Sequence, residues 1–162
     1  MYHQNGIVYN EKHTISFGNV SNNTFSQVAN TWTTWHLIPA SRPAVAAPQP
    51  NFKFVEIPGR NGQVDFSDFL TGSPQYGQRV GNFSFFIARG FQDIEVIHQN
   101  MSATLHGKKL KMKLQDDPNY YYEGRFTVGN LETGGAHPMV TIGYTLEPYK
   151  RKINPAGTGP AL

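Results

Sequence analysis

Between residues 108 and 128 the chain alternates with a period of two, twice over. In KKLKMKL (108–114), Leu110, Met112 and Leu114 take one face and Lys109, Lys111 and Lys113 the other. In YYYEGRFTV (120–128), Tyr120, Tyr122, Phe126 and Val128 share a side, with Tyr121, Glu123, Arg125 and Thr127 opposite. Period two is the mark of a half-buried strand. If Gln115–Asn119 forms a five-residue connection, Leu114 lies opposite Tyr120 and Lys111 opposite Glu123. A four-residue loop would set Leu110 against Arg125 and Met112 against Glu123, moving an apolar set to the wrong face. The pattern therefore predicts an antiparallel hairpin with the odd loop. A cross-strand Lys111–Glu123 pair would add only ~0.2–1 kcal/mol.

Elsewhere, HTISFGN (13–19), TWTTWHLIP (31–39), FKFVEI (52–57) and QRVGNFSFFIAR (78–89) are rich in β-branched and aromatic residues and predict strands. The phase of the last is ambiguous, because Phe83, Phe85 and Phe86 fall on both faces. In GFQDIEVIHQNMSATLHG, apolar Phe91, Ile94, Ile97, Met101 and Leu105 recur at steps of three and four, which predicts one helix ending at Gly107. SRPAVAAPQPN (41–51) carries three prolines that neither ladder nor helix accommodates, so it is expected to be an extended connection. Pro58, Gly59 and Gly62 mark two successive turns. INPAGTGPAL (153–162) has no periodic apolar pattern. The expected organisation is an N-terminal segment (1–12), a body of mainly antiparallel β structure with one helix (13–150), and a tail or linker (151–162).

Composition supports that class. Charged residues make up 15% and aromatics 13% of 162 residues, with 16 Gly and 11 Pro, a balance that favours a turn-rich β domain over a helical one. With no cysteine, disulfides and Cys-based zinc or redox motifs are excluded. The net charge of +3 is mild and scattered apart from Lys150–Lys152, short of the basic stripe of a nucleic-acid binder. MYHQNGIVYNEKH lacks the apolar run of a signal peptide, and no stretch approaches the ~18 apolar residues of a membrane helix.

Candidate chemistry is sparse. Asp116, Asp117 and Pro118 sit between the two alternating strands, where Asp bonds nearby backbone and Pro presets φ. They are expected to be turn residues, not an acid/base or metal pair. The histidines are dispersed, and His98 and His106 lie two helical turns apart, too far to share an ion. Gly59-Arg60-Asn61-Gly62 lacks the Lys-Ser/Thr ending of a phosphate loop and opens no helix. Asp65 and Asp68 are expected to cap a short connection. No serine sits in a G-x-S-x-G context. No catalytic residue, metal or cofactor is expected, and the chain does not read as an enzyme. Trp32, Trp35 and Tyr120–Tyr122 could stack on sugars or bases, but alternation turns about half of them inward.

One ordered set of motifs is more specific. WHLIPASRP, PQP and VEIPGRNGQVDFSDFLTGSPQYGQR, then LHGKKLKMKLQDDPNYYYEGRF and a strand ending in LEPYK, resemble the N-terminal domain of phage distal tail proteins over about residues 13–150. The resemblance implies a β-sandwich or barrel of the tail-tube type with one helix. It further implies a homohexameric ring at the far end of the tail, assembled in the host cytoplasm. Its partners would be the tail tube protein and the baseplate hub or tail-fibre proteins. DNA would cross the lumen only in transit, without membrane insertion. An extended Pro-rich arm with Arg42, Pro43, Pro48 and Pro50 would reach a neighbouring subunit, since a rigid arm without internal partners docks with little entropy loss. Many relatives continue into a carbohydrate-binding-like domain after the PYK element, whereas 12 residues follow Lys150 here. A short or truncated form is therefore expected, without direct cell-surface binding. Asn61 stands where an acidic residue is frequent in that family. A tail-tube protein of the same fold and a monomeric glycan- or nucleic-acid-binding module are the competing readings.

Overall fold

The structure, a computed structural model, describes residues 12–21, 24–88 and 93–153 together with the backbone of 2–4 and 7–9. In chain order the elements are β1 (Tyr2–Gln4), β2 (Ile7–Tyr9), β3 (Ile15–Gly18), β4 (Gln27–Asn30), β5 (Leu37–Pro39), β6 (Phe54–Glu56), β7 (Gln63–Asp65) and β8 (Arg79–Ile87). Then come α1 (Ile94–Leu105), β9 (Lys109–Leu114), β10 (Tyr120–Val128), β11 (Met139–Leu146) and β12 (Arg151–Lys152). Every strand pair is antiparallel. The main sheet runs β4-β3-β9-β10-β11-β8-β5, while β1-β2 and β6-β7 form separate ribbons. Among the described residues no helix is long and apolar enough to cross a membrane.

The β9–β10 hairpin pairs in the expected register, with Glu123 opposite Lys111 and Tyr122 opposite Met112. Two tight turns close it: Asp117 N–H donates to the Leu114 carbonyl at 3.1 Å and Tyr120 N–H to the Asp117 carbonyl at 3.3 Å. β8 resolves the phase left open by its phenylalanines: Phe83, Phe85 and Ile87 are buried and Phe86 is half-buried on the other face.

Residues 31–39 depart from the expected strand. Only Leu37–Pro39 is extended, while residues 31–35 form turns. Asn30 causes this: its side-chain oxygen accepts the Trp32 and Thr33 N–H groups at 2.9 and 3.1 Å, and its carbonyl accepts Thr34 N–H at 3.1 Å. An Asn side chain thus offers the backbone an alternative to the ladder, overriding the β propensity of Thr and Trp. The turn joins β4 to β5, which are the two edges of the sheet. Six residues span at most ~20 Å, so the sheet must curl to bring its two edges within that reach. Thr31 N–H extends the β3–β4 ladder to the Ile15 carbonyl at 2.9 Å and Leu37 N–H donates to the Thr31 carbonyl at 2.8 Å, so the sheet curls into a barrel left open between β4 and β5, which share no ladder.

α1 packs against β10, with Ile97, Met101 and Leu105 fully buried. Asp93 is the N-cap, its carboxylate accepting Glu95 N–H at 3.0 Å. Gly107, at φ 73°, ends the helix in the left-handed conformation that glycine tolerates, and its N–H donates to the Phe126 carbonyl at 2.8 Å. Phe91, expected on the apolar stripe, lies outside the described residues. Inside the barrel Phe17 meets Phe126 edge-on at 5.1 Å and Trp35 at 6.1 Å. The body reaches past residue 150, because Tyr120 and Tyr121 pair with Lys152 and Arg151. The rest of the expected tail, 154–162, is outside the described residues.

Candidate interaction surface

Between β5 and its neighbour β8 the chain leaves the barrel and returns. Gly77 N–H donates to the Gln49 carbonyl at 2.7 Å, Asn51 N–H to Gln75 at 2.8 Å, and Phe66 N–H to Lys53 at 2.8 Å. Beyond these, Phe54 pairs with Asp65, Val55 with Val64 and Glu56 with Gln63. Pro58-Gly59 builds the turn, with Arg60 N–H donating to the Ile57 carbonyl at 3.1 Å. Gly59 and Gly62 take φ of 81° and 83°, as turn glycines. Asp65 caps the return strand: its carboxylate accepts Ser67 N–H at 2.8 Å, and the Ser67 bonds hold its pKa below the ordinary value. These residues form a two-stranded arm.

No residue from 51 to 76 is buried. Yet the arm presents Phe52 (66% exposed), Phe54, Val55, Ile57, Phe69 (75%), Leu70 (84%) and Tyr76 to solvent. Phe52 contacts Phe54 at 6.0 Å, and Phe66 contacts Phe69 at 5.4 Å. A ribbon of two strands without a core is marginally stable alone, and contiguous exposed apolar surface marks an interaction site. The turn signals locate this hairpin from sequence. Its exposure has no such signal, because Phe52 and Phe54 read like core residues.

The preceding Pro-rich segment differs from expectation. It does have internal partners: Arg42 donates to Asp116 at 2.9 Å, Pro43 is buried, and Val45 packs against the core. Ala46 N–H donates to the Tyr144 hydroxyl at 2.9 Å, and Arg79 donates to the Ala46 carbonyl at 2.9 Å. Residues 42–46 therefore strap the arm to its own barrel. Pro48 lies beyond the strap, and Pro50 bridges to Tyr76 at the root.

Asp116 and Asp117 occupy the β9–β10 turn as expected, but each also ties down a distant segment. Asp116 accepts His13 at 2.8 Å as well as Arg42, and its pKa is held down chiefly by the His13 bond. Asp117 accepts Lys150 at 2.8 Å, which raises the lysine's pKa. Pro118 follows in the same turn. The turn thus gathers the chain before β3, the strap that leads into the arm and the chain before β12.

On the polar face of the sheet, Lys111 (1% exposed) and Glu123 (7%) are buried. Lys111 faces Glu123 in register, but its ammonium donates to the Thr24 carbonyl at 2.9 Å and lies 4.8 Å from the Tyr121 ring centre. The short ion pair of Glu123 is with Lys109, at 2.7 Å, with Arg151 at 3.6 Å. Strand β12 and the 24–26 segment cover this face, which alternation alone could not show. Burial lowers the Lys111 pKa.

Two of the histidines serve the fold: His98 donates to the Gly129 carbonyl at 2.7 Å, and His106 Nδ1 accepts Val128 N–H at 3.1 Å. Trp32, Trp35 and Tyr121 are buried and closed to ligands. Among the described residues no group of three or more His, Asp or Glu is placed to hold a metal.

No family model matches the chain, and no characterised protein matches it by sequence. In structure it is similar to the crystal structure of SPP1 Dit (gp 19.1), described as a paradigm of the hub adsorption apparatus in phages that infect Gram-positive bacteria. The TM-score is 0.57 at 15% identity, over 85% of this chain and 52% of that one, so this chain spans about half the length of that neighbour. At that identity the likeness establishes the fold, a mainly β antiparallel domain with a single helix.

Proposed function

We propose that this chain is a structural, non-catalytic subunit of a phage or phage-like tail tip. Copies of it form a hexameric ring that joins the tail tube to the baseplate hub and receptor-binding apparatus and lets DNA pass. The observation that carries this reading is the likeness in fold of 85% of this chain to SPP1 Dit. The ordered motifs from WHLIPASRP to LEPYK support it independently. The arm supplies the contact: residues 51–76 dock on the neighbouring copy, and Arg42, Pro43, Pro48 and Pro50 serve as the strap and root that aim it. A head-to-tail contact of this kind closes into a ring when the rotation per subunit permits.

The test is the mass of the purified protein by light scattering at low and high concentration, with negative-stain images of the same samples. Closed rings of roughly six copies are expected, and deleting residues 51–76 should leave monomers. Open-ended tubes would instead assign the chain to the tail tube. Rings that persist without the arm would overturn its role as the contact.

A further inference from the structure

We infer that Asn61, at the outer turn of the arm, is a site of spontaneous backbone-driven deamidation that remodels the arm as the protein ages. This rests on the arm as the docking element for its consequence, but not for its chemistry. Among the described asparagines, Asn61 alone is followed by glycine; Asn19 and Asn30 precede β-branched Val and Thr, and Asn51, Asn82, Asn100, Asn119 and Asn130 precede bulky Phe, Phe, Met, Tyr and Leu. That difference is chemical. The reaction needs the following backbone nitrogen to reach the asparagine Cγ, and a side chain on the next residue hinders the approach.

The arm's geometry adds to this. Asn61 and Gly62 are both exposed, in a turn outside the β6–β7 ladder, with nothing buried for ten residues on either side. No hydrogen bond or ion pair holds the Asn61 side chain among the described contacts. Gly62 sits at φ 83°, and a Cβ built there would meet no atom within 4 Å. The turn therefore has open space to deform, and glycine has access to both signs of φ. By contrast Asn82 is held in β8, paired through Gly143, and Asn100 in α1.

The step balances without an added reagent other than water. Gly62 N attacks Asn61 Cγ as its proton is taken by base. The new C–N bond closes a five-membered succinimide, and the Cγ–NH2 bond breaks to release ammonia. Water then adds to one of the two imide carbonyls and opens the ring. One opening gives aspartate. The other gives isoaspartate, in which the main chain runs through Cγ and is longer by one carbon. No electron is transferred; ammonia leaves and water enters.

The product changes the arm in two ways. Lys53 and Arg60 against Glu56, Asp65 and Asp68 leave the arm with one net negative charge, and either product adds a second beside Arg60. Isoaspartate also inserts a backbone atom into the turn that holds β6 and β7 in register, and register decides which residues share a face. The isoaspartyl arm is the form that docks poorly.

The experiment holds the full chain at mildly alkaline pH and follows each asparagine by peptide mass. Ammonia loss and water gain should appear at Asn61 well before Asn51 or Asn82, and N61Q should abolish it, since glutamine closes the larger ring slowly. Conversion at Asn61 no faster than at Asn51 would overturn the proposal, whatever the assembly state. Asn5-Gly6 in the N-terminal segment is read as a separate peptide. Light scattering then reads the consequence. Aged wild type should lose self-association in proportion to its isoaspartate content, while aged N61Q and fresh N61D keep it. Retained association in fully converted protein would overturn the effect on docking. A wild type that never associates would count against the ring reading and leave the mass result intact.

Discussion

Glu123 holds together the charges on the covered face of the sheet, whereas Lys111 is the expensive member of that group. Glu123 has Lys109 and Arg151 as partners, so removing its carboxylate leaves several cations facing one another. Glu123→Ala should lose about 3 kcal/mol in urea unfolding, the low end for breaking a buried pair, since Lys109 is partly exposed. Lys111→Met should cost under about 1 kcal/mol, because Glu123 keeps its other partners and a buried ammonium is no longer needed. The sign with pH is testable in the same assay. The folded-state pKa of Lys111 is depressed, so the unfolded chain binds more protons, and its destabilising effect should fade as pH rises toward the ordinary lysine value. Stability of Lys111→Met should lack that alkaline gain. Alternation correctly assigned Lys111 and Glu123 to one face and opposite each other. That this face is covered was not legible, because the cover comes from Thr24 and Arg151, each far away in sequence.

At the scale of elements, the hairpin and helix were readable because their information is local: a period of two with an odd loop, and a stripe ending at a glycine. The 31–35 turn was hidden because Asn30, one residue outside the apparent strand, decides it by accepting three N–H groups. The Asp116-Asp117 turn was legible as a turn but not as a junction, since His13, Arg42 and Lys150 arrive from other segments. The junction has a pH signature. Asp116 is held below the ordinary carboxylate range, so its contribution is present above that range and is lost as pH falls through its folded-state value. Amide exchange around residues 13–14 and 42–46 should quicken as pH drops from neutrality below ~4, beyond the intrinsic effect of pH. Asp116→Asn should show the faster exchange at neutral pH already, with little change in the melting temperature of the barrel. Unchanged exchange in the variant would show that Val45 and the Tyr144 bond hold the strap by themselves.

For the molecule as a whole, the mainly β antiparallel fold with one helix followed from the pattern, whereas the curling of the sheet did not. Curling depends on β4 and β5 being sequence neighbours at opposite edges of the sheet order, which only the pairing reveals. The arm contributes no buried residue, so the barrel should not miss it. Removing residues 51–76 and closing Pro50 to Gly77 with a short turn should leave the melting temperature of the monomer within a few degrees of the intact chain. A large drop would show that the arm stabilises the barrel in a way its exposure does not suggest. Since the arm is an excursion between two paired neighbours, β5 and β8, its length is nearly free to vary: each doubling of a loop costs only about 0.6 kcal/mol in chain entropy. On the proposed reading, the barrel is thus a chassis and the arm its docking port. Arms of other lengths and sequences can be grafted between Pro50 and Gly77 without redrawing the sheet, and a lineage could change what the protein attaches to while the enclosing wall stays the same.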